Sequence, residues 1–139
     1  MRAKTSSQRF CEHLKAEGEC IIWTGQRTRY GYGVIAIESG KGGRKMAAHK
    51  YSWEKAIGPV PAGLELDHLC RNKLCVNVRH LEPVTHTENV RRGRRLITHC
   101  PEGHPYDEAN TSLYHSPTGV HRFCKACKRN WWHERKVKI

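Results

Sequence analysis

Large apolar side chains are scarce in this chain. Among its 139 residues are two Phe and two Met, 37% of the whole is hydrophobic, and the mean hydropathy is -0.75. A chain of this length buries roughly 68% of its unfolded surface, and here much of that surface is polar. Apolar burial alone is therefore a thin source of stability, and bound metal is the usual substitute in small scaffolds. No apolar run approaches the roughly 18 residues of a membrane span, and no basic amphipathic helix suggests a surface-bound one. The opening MRAKTSSQRFCEHLK lacks the apolar stretch of a secretory signal. A cytoplasmic setting is expected on that reading. There, seven cysteines are better taken as metal ligands than as disulfides, and an odd number leaves one over in any pairing. Internal repeats and low-complexity segments are missing too.

Acidic residues are also in short supply, 13 Asp and Glu against 25 Lys and Arg, for a net charge of +12 and a pI near 9.7. That is the electrostatic footprint of a nucleic-acid binder. A cationic surface kept only for solubility explains it less well, because small domains usually carry less net charge.

Length allows one domain, or one domain with a small appended module. Residues 1–19 read as a polar lead-in with a short helix in SSQRFCEHLKAEG. CIIWTG reads as a strand closing on Gly25, YGYGVIAI as a second strand, and ESGKGGRK as a hairpin turn. MAAHKYSWEKAIGP reads as a helix with Met46, His49, Trp53 and Ile57 on one face, stopped by Gly58-Pro59. His49 is read there as a core histidine in preference to a phosphate contact. LELDHL is a short strand running into a loop. Thr85 and Glu88 form a capping box for the next helix, which carries Asn89 in its first turns and Arg91, Arg92, Arg94 and Arg95 at its end. Cations at that end suit the helix dipole and can also follow a DNA backbone.

Two sets of soft ligands stand out. Cys100-x3-His104 followed by Cys124-x2-Cys127 supplies four N/S ligands in short-spaced pairs, the composition of a closed tetrahedral zinc site. His99 is an alternative to His104. The second set, Cys70-x4-Cys75-x4-His80, needs a remote fourth ligand. Cys20, at the start of a strand, is favoured over Cys11 in the lead-in. Neither set explains why Asp67 and His68 stand directly before Cys70.

Asp67-His68-Leu69-Cys70, Cys75-x-Asn77-x-x-His80-Leu81 and Asn89 resemble the HNH endonucleases, in particular the short phage-encoded ones. The order of ligands is also similar to that of the His-Cys box homing endonucleases. The resemblance covers roughly Cys20 to Arg95, and the Cys/His tail resembles a zinc module often appended in phage proteins. It implies that His68 is the general base for water and that Asp67 and Asn89 hold one Mg2+ or Mn2+. Most HNH proteins have asparagine at the middle position. His80 stands there in this chain, as in the His-Cys box proteins, and on the resemblance serves zinc. A literal His68, Asn77, His86 spelling ranks second, with His86 one turn before Asn89.

These residue types suit the chemistry independently. Phosphodiester hydrolysis needs an activated water and a cation against the phosphate. Neutral imidazole is a fitting base near pH 7, and a carboxylate with an amide oxygen suits a hard cation as thiolates suit zinc. Adjacent strand residues, however, point to opposite faces, so Asp67 and His68 are expected to converge only where the strand breaks.

The expectation is thus an α+β fold. A zinc-stapled HNH domain of the ββα-metal (His-Me finger) type occupies 1–95, with its core at about 60–95, and a basic zinc ribbon or knuckle module occupies 96–139. The expected ligands are Cys20, Cys70, Cys75 and His80 for one structural zinc, Cys100, His104, Cys124 and Cys127 for a second, and Asp67 and Asn89 for catalytic Mg2+ or Mn2+. The expected partner is double-stranded DNA, contacted by Arg91, Arg92, Arg94 and Arg95, with no membrane. Phage genome processing, contact with packaging proteins and a host cytoplasmic location follow from the resemblance alone. A non-catalytic zinc-dependent DNA-binding protein is the rival reading, and an RNA-binding zinc protein a third.

Overall fold

The computed structural model describes residues 4–136 apart from Ser39 and Lys41. The architecture is α+β, with short antiparallel strand pairs and four short helices among the described residues. The chain divides into two units, Met1–Asn89 and Val90–Ile139.

In the first unit, α1 (Ser6–Glu12) starts at Thr5, whose side chain accepts from Gln8 N while the Gln8 side chain accepts from Thr5 N. This reciprocal cap satisfies two otherwise orphaned backbone donors. The lead-in then continues as β1 (Leu14–Glu17), paired with β2 (Cys20–Trp23) around the left-handed Gly18. The sequence pattern does not predict β1. Three of its four residues are exposed, so it shows no apolar alternation.

Next come β3 (Val34–Ala36) and β4 (Lys45–Ala47), paired antiparallel. Part of the ESGKGGRK turn between them, Ser39 and Lys41, lies outside the described residues. α2 covers only Ala48–Ala56. Met46 belongs to β4, opposite Ile35, so the sheet claims a residue that helical periodicity assigns to α2. The buried helix face is Ala48 and Tyr51, and Ile57 beyond the helix is 60% exposed.

The core of this unit is Trp23, Ile35, Ala48, Tyr51 and Val76, with Phe10, Leu14, Ile37 and Met46 packed against it. Phe10 stacks on Trp23 at 5.5 Å and tilts onto Tyr51 at 5.0 Å. Trp23 sits so close to two glycines that a Cβ on Gly25 or on Gly33 would fall 2.5 Å from its ring.

β5 (Leu64–His68) and β6 (Leu81–Thr85) form the last pair of this unit, joined through a loop and a 3-10 turn at Val78–His80. α3 (His86–Arg95) follows β6 without a break. The Thr85 hydroxyl accepts from Glu88 N at 3.2 Å, so the helix starts at its expected cap.

The second unit holds β7 (Thr111–Ser116) and β8 (Gly119–Cys124), an antiparallel hairpin, and α4 (Lys125–Lys136). No helix among the described residues is long and apolar enough to cross a membrane.

Candidate active site and metal centres

β5 ends on two buried polar residues, Asp67 at 4% exposure and His68 at 6%. Burying such groups is costly unless each finds a partner. Asp67 Oδ1 accepts from Arg71 Nη1 at 2.9 Å, and Arg71 is held with φ +60. A non-glycine residue in that left-handed region is uncommon, and such strain gathers at functional sites. The strand pairing runs unbroken through Asp67 and His68, opposite Glu82 and Leu81. The two side chains therefore leave the strand on opposite faces rather than converging at a break.

His68 Nε2 lies 3.1 Å from the main-chain oxygen of Cys75. A carbonyl can only accept, so Nε2 carries the hydrogen and Nδ1 keeps the lone pair of the neutral ring. Burial pushes the His68 pKa below the ordinary histidine value, against the Cys75 hydrogen bond and the Asp67 charge that favour the cation. The His49 ring meets His68 edge-on at 4.6 Å, and Tyr32 lies 6.2 Å away. Burial first, then His68 and Lys50, bring the His49 pKa from 6.5 down to about 4. Its Nδ1 is buried without a hydrogen-bond partner. His49 is thus half-buried against His68, a placement beyond the core role that helical periodicity suggests.

On the other face of β5, Glu65 and Asp67 are two residues apart and project together. Asn89 Nδ2 donates to Glu65 Oε1 at 2.6 Å, and His86 Nδ1 lies 3.3 and 3.4 Å from the two Glu65 oxygens. The Asn89 bond holds the Glu65 carboxyl below its usual range, with His86 acting in the same direction and both burial and Asp67 opposing. Sequence reasoning misses Glu65. The signal available is the two-residue spacing from Asp67, which puts both carboxylates on one face of the strand.

A Cys/His cluster adjoins this site. The ligand atoms of Cys20, Cys70, Cys75 and His80 all lie within 4.8 Å of one another. His80 Nδ1 is 3.5 Å from the sulfurs of both Cys20 and Cys75. Ligands tetrahedrally disposed at zinc's bond lengths stand roughly 3.5–3.8 Å apart, so the spacing and the donor chemistry both fit such an ion. Cys20 arrives through backbone pairing, since Trp23 N donates to Leu74 O and Val76 N to Ile21 O, each at 2.8 Å. Asn77 fastens the same loop. Its Nδ2 donates to Glu19 O at 2.8 Å and its Oδ1 accepts from Arg79 N. Cys11 lies exposed on α1, outside the cluster.

In the second unit the ligand atoms of Cys100, His104, Cys124 and Cys127 also lie within 4.8 Å of one another. His104 Nδ1 is 3.3 Å from the Cys127 sulfur and 3.5 Å from that of Cys100. Two backbone bonds, Gly103 N to Cys100 O and Cys100 N to His104 O, wind the first ligand pair into a tight knuckle. Left-handed Gly103 makes that turn possible. Asn110 Nδ2 donates to the Cys124 sulfur at 3.2 Å. His99 is exposed and bonded to Thr98 instead.

Comparison with known proteins bears on this arrangement. The HNH endonuclease family profile matches residues 46–91. The uncharacterized gene 5.3 protein of Enterobacteria phage T3 is 35% identical over 90 residues, which are 61% of this chain and 89% of that protein. The chain belongs to the HNH endonuclease family. Protein 7.7 of Escherichia phage T7 is also 35% identical, over 81 residues that are 55% of this chain and 59% of that protein. No solved structure matches.

The HNH match takes in β5, β6 and the first turns of α3, and so His49, Glu65, Asp67, His68 and Asn89. Three ligands of the first cluster lie inside it and Cys20 outside, as does the whole second cluster. Both clusters could hold a metal ion. Past the match, Arg94 and Arg95 are exposed on α3, as is Arg91, while Arg92 is half-buried.

Proposed function

We propose that this protein hydrolyses DNA phosphodiester bonds as a divalent-metal-dependent endonuclease of the ββα-metal type, with β5, β6 and α3 as the ββα element. The observation that carries the reading is the state of His68. Its Nε2 is committed to the Cys75 carbonyl and burial keeps the ring neutral, so Nδ1 is available as a base near neutral pH. A DNA-binding protein without catalysis gives no role to a histidine prepared in this way.

His68 Nδ1 takes the proton from a water as that water attacks phosphorus. A Mg2+ or Mn2+ bound through Asp67 and Asn89, on the face of β5 opposite His68, would neutralise charge on the phosphate and on the leaving oxygen, which departs on the side away from the attacking water. The oxygen donors of both side chains suit such a hard cation. Arg71 balances the charge of buried Asp67. The thiolate-rich sets Cys20, Cys70, Cys75, His80 and Cys100, His104, Cys124, Cys127 take zinc as structural ions. The basic helix end, Arg91, Arg92, Arg94 and Arg95, contacts duplex phosphates. Relatives encoded by phages support a role in the host cytoplasm.

Nicking of supercoiled plasmid, with and without Mg2+ or Mn2+, tests the reading. Wild type should nick only with the metal, and His68→Ala should bind DNA without cutting it. Metal-independent cutting, or binding with no cutting under any metal, would sink the proposal.

A further inference from the structure

We propose that Glu65 is a positioning residue that aims Asn89, and with it His86, at the divalent cation. This inference rests on the nuclease reading above.

Its basis is the bonding pattern on one face of β5. An ionised carboxylate only accepts, so the Asn89 atom 2.6 Å from Glu65 Oε1 has to be its NH2 group. With the NH2 committed, the atom Asn89 has left for a cation is Oδ1, a hard oxygen of the kind Mg2+ and Mn2+ accept. Without Glu65 the amide could rotate by half a turn and present its nitrogen. The same carboxylate faces His86 Nδ1 at 3.3 and 3.4 Å. A hydrogen on Nδ1 leaves the His86 lone pair on Nε2, the arrangement by which a carboxylate orients a metal-facing imidazole.

Glu65 thus holds Asn89 by one short bond at Oε1 and faces His86 with both oxygens, the contacts expected of a support. The chain places all three side chains by simple means. Glu65 alternates onto the face of Asp67, the cap at Thr85 starts α3 directly after β6, and His86 and Asn89 stand one turn apart on it.

The test uses the full-length, zinc-loaded protein and Mn2+ as the probe. Calorimetry gives Mn2+ affinity, and nicking assays give the Mn2+ concentration for half-maximal rate. Outer partners of metal ligands typically contribute about 10–100-fold in affinity, so Glu65→Ala should weaken Mn2+ binding by about that factor. The rate at saturating Mn2+ should fall far less. Glu65→Gln keeps an oxygen that accepts from Asn89 and should stay close to wild type. Adding Glu65→Ala to Asn89→Ala should cost little beyond Asn89→Ala alone, because the two act through one contact.

Unchanged Mn2+ affinity in Glu65→Ala overturns the inference. So does a Glu65→Gln variant as weak as Glu65→Ala, which would make the carboxylate itself the ligand. If the wild type neither binds Mn2+ nor nicks DNA, the nuclease reading fails first and this inference with it. Intact wild-type activity with indifferent Glu65 variants sinks this inference alone. The Glu65 side chain is 41% exposed, and matched thermal melts would show that both variants fold.

Discussion

Cys75 reaches His68 with its backbone and the Cys/His cluster with its side chain. Its carbonyl oxygen is 3.1 Å from His68 Nε2, and its sulfur is 3.5 Å from His80 Nδ1. Cys75 is also wholly buried and bridged to Ile22 of β2. An ion bound by the cluster would therefore hold the carbonyl that sets which His68 nitrogen is free. The cluster and the candidate base form one mechanical unit, although their chemistries differ.

That coupling separates two histidines twelve positions apart. His68→Ala should fold, keep its full metal content and bind DNA, while losing about 10²–10⁴-fold in cleavage rate, the usual contribution of a general base. His80→Ala should lose one equivalent of zinc and melt at lower temperature, because metal-binding energy at such a site is also folding energy. Its activity should fall as a consequence. Elemental analysis, thermal melts and nicking assays together check this. A zinc-replete, fully stable but inactive His80→Ala would remove His80 from the cluster.

The choice between the two N-terminal cysteines yields a second contrast. Cys20 lies within 4.8 Å of the other three ligand atoms, whereas Cys11 is exposed on α1. Cys20→Ser should reduce bound zinc from about two ions per chain towards one and broaden the thermal transition. Cys11→Ser should leave both quantities unchanged. A zinc titration with a chromogenic chelator reads the difference directly.

Much of this arrangement is legible in the amino-acid sequence, for reasons that differ by element. The two Cys/His clusters can be read because residues able to hold one metal ion commonly lie at short spacings along a chain. The start of α3 can be read because Thr85 and Glu88 form a local signal that needs no tertiary context. β1 is hidden because its side chains are mostly exposed, and its only evidence is hydrogen bonding to β2. Periodicity misjudges the face of α2 at Met46 and Ile57, since β4 takes the first and the second lies past the helix end. The meeting of Glu65 with Asn89, and of His49 with His68, joins residues 24 and 19 positions apart, which no local pattern specifies.

His49 makes the stability depend on pH in a definite direction. Its folded pKa of about 4 lies below the ordinary value of 6.5. In the unfolded chain it takes up a proton near pH 6.5 that the folded protein refuses until about pH 4. Its contribution is therefore fully present above pH 6.5 and is lost as pH falls through that window. His68 shifts in the same direction, so the test is a difference. Urea midpoints of wild type should drop more steeply between pH 6.5 and 4 than those of His49→Phe, which cannot titrate. Parallel curves would mean that His49 is more accessible than its surroundings indicate.

The contact between Gly33 and Trp23 makes the core sensitive to one methyl group. A Cβ at Gly33 would meet Trp23 Cδ1 at 2.5 Å and the Ala48 side chain at 3.1 Å. Neither neighbour is free to withdraw, since Ala48 is buried and Trp23 is 2% exposed with its Nε1 donating to Gln26 O at 2.9 Å. Gly33→Ala should destabilise by about 1–3 kcal/mol, the usual cost of overpacking, as read by denaturant unfolding. Gly58→Ala meets no neighbouring atom, but its φ of +133 makes it a test of backbone strain rather than of packing.

The charge of α3 leads to the remaining expectation, which concerns binding rather than cleavage. Arg91, Arg92, Arg94 and Arg95 follow Asn89 in sequence on α3, and the proposed function assigns them to duplex phosphates. Each neutralised phosphate releases counterion, and log K falls with log salt at about 0.9 per phosphate on B-DNA. If all four arginines contact phosphates, replacing them with Ala should reduce the slope by roughly three to four and weaken binding similarly across sequences. Sequence-independent weakening is the informative part, because arginines that read bases would instead relax specificity. Fluorescence anisotropy at several salt concentrations, with catalytically inactive His68→Ala as the background, measures the slope without cleavage. An unchanged slope would assign these arginines to a solvated helix face.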